Sequence, residues 1–213
     1  MRAHEAGALH AEGYGGPPLY LPYPTDVNEL LTVLWPATVD RGADGVLTVG
    51  GVDVASLARE FGTPAYVVDE DDFRARARAF RDEFSAPFEP VCGGVDVYYA
   101  GKAFLCTEVA RWVAEEGLSL DVSTGGELAV AQRAGFPPER IAMHGNNKSV
   151  VEIEQALSYG VGRIVIDSLE EIDRINTVAD RLGVVAPVMI RVTVGVEAHT
   201  HEFIATAHED QKF

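Results

Sequence analysis

With 213 residues, 47% of them hydrophobic and 23% charged, the chain has the composition of a globular protein and length for one large domain, or one plus a piece. Its formal net charge of −16, from 17 Lys and Arg against 33 Asp and Glu, repels phosphate backbones and anionic lipid, which argues against nucleic-acid and membrane partners. No apolar run reaches the roughly 20 residues of a bilayer span and no basic-then-apolar signal core opens the chain, so the expected location is cytoplasmic. Cys92 and Cys106 belong to no CxxC or Cys/His cluster and read as reduced structural thiols, with no metal site implied.

Residues 1–28 carry Gly15-Gly16-Pro17-Pro18, Pro22 and Pro24 without any period and read as a flexible leader. Val46–Val49 and Val52–Val54 flank Gly50-Gly51, a two-residue hairpin signal. A short helix fits Ala55 to Phe61 and stops at Gly62; after Pro64, the run Ala65–Val68 reads as a strand. Asp69 is placed to cap a helix on which Phe73, Ala77, Phe80 and Phe84 fall at helical spacing, with acids preceding arginines as the macrodipole favours. Residues 85–94, with Pro87, Pro90 and Gly93-Gly94, read as a loop.

From Val97 a repeat sets in. Strand-like segments start near Val97, Leu120, Ile141, Ile164 and Val188, and each of the first four is followed by an amphipathic helical stretch. The strands are short and largely apolar, as parallel strands covered on both faces are. Their even spacing, with no Gly-rich phosphate turn after the first, favours a (β/α)8 TIM-type barrel over an open dinucleotide-binding sheet. Eight such units need about 180 residues, more than follow Val97, so the expected fold class is α/β with an incomplete barrel of about five strands. The chain is accordingly expected to be the N-terminal part of a longer protein.

Barrels of this kind present reactive groups at the C-terminal ends of their strands. Those ends deliver Lys102; Asp121 with Ser123; His144 with Asn146 and Asn147; Asp167 with Ser168; and Arg191. The apolar and small residues around Lys102 imply a partly buried amine, and desolvation disfavours the ammonium, which suits Schiff-base chemistry; the alternative is an ordinary lysine snorkelling from a strand end. Thr124…Glu127, Ser149…Glu152 and Ser168…Glu171 match the capping box, so these residues have a helix-starting role open to them, and for Ser149, Glu152, Ser168 and Glu171 that reading is preferred. Asp121 and Arg191 are candidates for an ion pair at the barrel mouth, and His144 for a satisfied core histidine. Together, a lysine, acids, a histidine and an arginine on one rim point to a site.

Four stretches carry a resemblance: Tyr99-Ala100-Gly101-Lys102-Ala103-Phe104, Leu120–Leu128, His144-Gly145-Asn146-Asn147-Lys148-Ser149, and Gly195–Glu202 with His199 and His201. In order and spacing they resemble the diaminopimelate decarboxylase family, of the alanine-racemase-like group of pyridoxal 5′-phosphate enzymes. The resemblance implies that residues 70–213 form part of a pyridoxal-phosphate barrel, that 29–69, with the hairpin, contribute to a second, all-β domain, and that 1–28 lie outside both. It implies further that Lys102 is the catalytic residue and holds pyridoxal 5′-phosphate as a Schiff base displaced by the substrate amine, with Asp121, Glu127, His144 and Arg191 as cofactor-binding residues. The implied reaction turns meso-2,6-diaminopimelate into L-lysine and carbon dioxide, and the family's shared active sites imply a homodimer. His199 and His201 are placed either near the site or in a solvated loop. The family's stacking histidine, phosphate loop, pyridine-nitrogen acid and partner-contributed cysteine segment do not occur in these 213 residues, which are therefore expected to have little or no activity alone. A non-catalytic single-domain cofactor barrel has no use for the 46–54 hairpin, and the His-Gly-Asn-Asn-Lys and His-Thr-His-Glu motifs argue against an ornithine or arginine decarboxylase.

Overall fold

The computed structural model describes residues 26, 28–32 and 34–192. The chain divides into two compact units, Met1–Asp72 and Phe73–Phe213. In the first, three short strands, β1 (Asp40–Arg41), β2 (Leu47–Val49) and β3 (Val52–Asp53), form an antiparallel sheet in which Val49 pairs with Val52. Gly50 and Gly51 both take positive φ, 57° and 78°, the pair of left-handed residues a two-residue hairpin turn demands. Helix α1 (Val54–Phe61) starts where Asp53 caps it, its carboxylate accepting from Ala55 N and Ser56 N at 2.6 and 3.0 Å.

Two expectations need correction. Ala65–Val68 forms no strand; Tyr66, Val67 and Val68 are exposed, and β propensity without a partner edge does not make a strand. The expected loop over 85–94 is helix as far as Cys92: α2 (Glu70–Cys92) runs through Pro87 and Pro90. A proline removes only its own N–H and crowds one carbonyl, at about 3 kcal/mol. The helical stripe of Phe80 and Phe84 continues through Phe88 to Val91, and the helix ends only at Gly93, which donates to Glu89 O at 3.0 Å.

The second unit is a five-stranded parallel sheet in the order β4 (Tyr98–Ala100), β5 (Ser119–Val122), β6 (Ile141–Met143), β7 (Arg163–Ile166), β8 (Val188–Ile190). Helices α3 (Thr107–Glu115), α4 (Gly125–Ala134), α5 (Val150–Tyr159) and α6 (Leu169–Leu182) join successive strands. Side chains alternate across the sheet. Leu120, Val122, Ile141, Met143, Ile164 and Ile166 point to the helices and make the dry core with Val113, Leu128, Ile153 and Ile175. The opposite face bears Tyr98, Asp121, Ala142, Arg163, Val165 and Met189, which with His144 line a cavity of about 280 Å³. Helix α2 is tied to the end of α3: Glu116, nearly buried, accepts from Arg74 Nη1 at 3.1 Å and Arg78 Nη1 at 2.8 Å, while Arg81 Nη1 donates to Glu116 O at 2.7 Å. Burial pushes the Glu116 carboxyl up, but the two guanidinium bonds outweigh it and hold the group below its ordinary value.

Candidate active site

Four of the five residues expected at the site come together around the ends of β4, β5 and β6. Lys102 lies not on the strand but in the 3₁₀ turn Gly101–Ala103 that follows β4. Tyr99 Oη closes this turn by donating to Phe104 O at 2.7 Å. Gly101 is buried there, and a Cβ in its place would lie 2.8 Å from Asp121 O and 3.3 Å from Leu105 Cδ2. The small residues around Lys102 thus bring the backbone of the turn down onto β5. They do not cover the side chain: Lys102 is exposed, which corrects the expectation of a partly buried amine.

Asp121, on β5, is the group the site buries. Its Oδ1 has no hydrogen bond and stands 3.4 Å from His144 Nε2, near enough for charge to act between them. Burial pushes the Asp121 carboxyl above its ordinary value, the positive charges of His144 and Lys102 pull it back only in part, and Glu127 adds to the rise. His144 extends β6 by donating its backbone N–H to Val122 O at 2.8 Å, and its imidazole is partly exposed rather than packed in the core. Glu127 is largely spent on the start of α4: Oε2 accepts from Ser123 N at 2.7 Å and Thr124 N at 3.1 Å, completing the capping box. Its other oxygen faces the Lys102 turn, 3.7 Å from where a Cβ on Gly101 would be.

Arg191 is the fifth. It follows β8, three strands from Asp121, and its Nη1 stands 3.3 Å from Asp167 Oδ1. The Asp121–Arg191 pair read from the sequence is therefore replaced by two pairs, Asp121 with His144 and Asp167 with Arg191. A second correction concerns Glu171. Ser168 Oγ does cap Glu171 N at 3.3 Å, but the Glu171 carboxylate accepts from Asp167 N at 3.0 Å and pairs with Lys148 Nζ at 3.0 Å, both partners 1–2% exposed. Sequence reasoning passed over Lys148 as a site residue. The usable signal was position: it precedes Ser149, the N-cap of α5, where the helix dipole disfavours a cation unless an anion faces it. His199, His201 and the rest of the Gly195–Glu202 motif lie outside the described residues.

Chemically, an exposed primary amine beside a half-buried carboxylate and an imidazole can take up an aldehyde and hold it, while the neighbouring acid and base govern protons. Residues 70–213 match the family described as pyridoxal-dependent decarboxylase, pyridoxal binding domain. The chain is 54% identical over 215 residues to the diaminopimelate decarboxylase of Mycobacterium leprae, covering 100% of this chain and 44% of that protein. It is 46% identical over 178 residues to the Bacillus subtilis enzyme of the same name, covering 83% and 39%. Among solved structures, the Helicobacter pylori diaminopimelate decarboxylase complexed with L-lysine is similar at TM-score 0.65 and 30% identity, over 75% of this chain and 39% of that one. The M. jannaschii enzyme in co-complex with L-lysine is similar at TM-score 0.68 and 31% identity, over 76% and 37%. The chain thus spans less than half the length of the curated relatives it matches. By the family match over residues 70–213, this chain belongs to the pyridoxal-dependent decarboxylases, the match being to their pyridoxal binding domain.

Proposed function

We propose that this chain provides the lysine-bearing side of the active site of a diaminopimelate decarboxylase, which turns meso-2,6-diaminopimelate into L-lysine and carbon dioxide. The observation that carries the reading is the convergence of Lys102, Asp121 and His144 on one rim of a parallel βα sheet. These residues fit pyridoxal phosphate. The Lys102 amine is exposed to an incoming aldehyde, and Asp121 Oδ1 is a buried oxygen without a hydrogen bond. When bound, the cofactor supplies the electron sink on which a carboxylate is lost as carbon dioxide.

Lys102 Nζ, exposed on the rim, would hold the cofactor's aldehyde carbon. Asp121 lies near enough to Lys102 for their charges to act on each other, which would orient the amine. Glu127 fixes the β5–α4 loop by its cap and turns its second oxygen toward the Lys102 turn. His144 stands on the open side of Asp121, its Nε2 3.4 Å from Oδ1. Arg191, oriented by Asp167, stands on the far side of the rim as a cation for an anionic group of cofactor or substrate. In this reading residues 29–69 contribute to a second β-rich domain, 1–28 are a leader, and the enzyme is a cytoplasmic homodimer. Among the described residues no helix is long and apolar enough to cross a membrane. The test is carbon dioxide release by the full-length protein, supplied with pyridoxal phosphate, from meso-diaminopimelate and, separately, from ornithine. Release from the first and not the second is expected; release from ornithine alone contradicts the reading.

A further inference from the structure

We infer that Lys148 is the positioning residue of this rim, a buried ammonium that ties the β6–α5 loop to β7 and α6 and so sets where His144 stands against Asp121. Lys148 Nζ reaches Gly145 O at 2.6 Å, Val165 O at 2.6 Å and Glu171 Oε2 at 3.0 Å. An ammonium has three N–H donors, and three acceptors surround this one. The first partner lies in the loop that begins with His144, the second near the end of β7, the third in the first turn of α6. Glu171 Oε2 accepts in turn from Asp167 N at 3.0 Å, so the same clamp fixes the backbone of the residue that pairs with Arg191. From the other side, Arg174 Nη1 donates to Lys148 O at 3.2 Å.

The loop has little slack. Gly145, with φ of 118°, sits so close to the preceding rim loop that a Cβ on it would lie 3.1 Å from Ser123 O and 3.4 Å from Lys148 Cγ. Lys148 therefore presses the loop between β5–α4 on one side and β7–α6 on the other, and His144 is the first residue of that loop. Stability alone is a poor account of this arrangement. Replacing a buried ion pair by apolar residues of similar volume is often neutral or stabilising, so a pair kept dry at 1–2% exposure beside a proton-handling site points to geometry. Nor is Lys148 a second carbonyl-reactive amine, since it is buried and its donors are engaged; Lys102 is exposed.

The inference rests on the reading of this rim as the cofactor site, but its test needs no cofactor. Lys148→Met alone strands the Glu171 charge and endangers folding, so the variant is the apolar pair Lys148→Met/Glu171→Leu. The full-length apo-protein is labelled with ¹³C at histidine Cε1, the His144 signal is assigned from His144→Gln, and its chemical shift is compared by NMR with and without Asp121→Asn at one pH. In the native background, Asp121→Asn is expected to move the His144 resonance, because the group facing the ring is changed. In the Lys148→Met/Glu171→Leu background the same substitution is expected to leave the resonance unmoved, because the imidazole no longer stands at Asp121. An undiminished Asp121 effect in that background overturns the inference. So does the absence of any Asp121 effect in the native one. Failure of the cofactor reading looks different: Lys102 then takes up no pyridoxal phosphate, whatever His144 does.

Discussion

Lys102→Ala in the full-length protein is expected to lower turnover by on the order of 10³-fold or more, about 4 kcal/mol of barrier, and to remove the long-wavelength absorbance of the lysine-bound cofactor. The residue lies in a tight turn whose backbone is fixed by other groups, with Tyr99 Oη on Phe104 O and Gly101 against Asp121 O. Truncating an exposed side chain there leaves that packing in place, so the loss is expected in chemistry with little change in melting temperature. Lys102→Arg sharpens the test. It keeps the positive charge that Asp121 faces but presents a guanidinium that stays protonated and does not attack an aldehyde, so it is expected to be as inactive as the alanine variant. Full activity in Lys102→Arg would reduce Lys102 to a charge partner of Asp121.

The largest effect on folding is expected at the opposite end of the sheet. Gly162, just before β7, donates to Pro138 O at 2.8 Å, and a Cβ built on it would lie 2.0 Å from Glu139 O and 2.8 Å from Glu139 C. Those are backbone atoms of the turn that leads into β6, so they cannot rotate away as a side chain does. Gly162→Ala is expected to cost more than about 3 kcal/mol, a fall of roughly 6–12 °C in melting temperature for a unit of this size. The control is two residues away. Gly160 closes α5 at φ of 84° with nothing within 4 Å of its missing Cβ, so Gly160→Ala meets only backbone strain, about 1 kcal/mol. Equal melting temperatures for the two variants would mean that the β6–β7 entrance is looser than its contacts imply.

The repeat was legible because its physics is local. The three inner strands, largely buried, read as short apolar runs, and Thr124 and Ser149, each with an N3 glutamate, start their helices as the capping box requires. The Gly50-Gly51 hairpin was legible for the same reason. What escaped depended on partners distant in sequence. Ala65–Val68 has the residues of a strand but no neighbour to pair with, and α2 carries its apolar stripe past two prolines that read as stops. The composition around Lys102 suggested cover for an amine, whereas those small residues let the turn approach Asp121 O. Arg191 was one candidate partner for Asp121, because His144 and Arg191 are both at strand ends and only the sheet order places β6, not β8, beside β5. Lys148 and Glu171, 23 positions apart, became a pair only once β7 lay between their loops.

The chemistry of this site centres on one covalent attachment, at Lys102. Borohydride reduction of the full-length protein with pyridoxal phosphate, followed by peptide mass mapping, tests it most directly. The added mass is expected on the peptide carrying Lys102, in the sequence Tyr-Ala-Gly-Lys-Ala-Phe, and none on the peptide carrying Lys148. Cofactor mass on Lys148, or on no lysine of this domain, would contradict it.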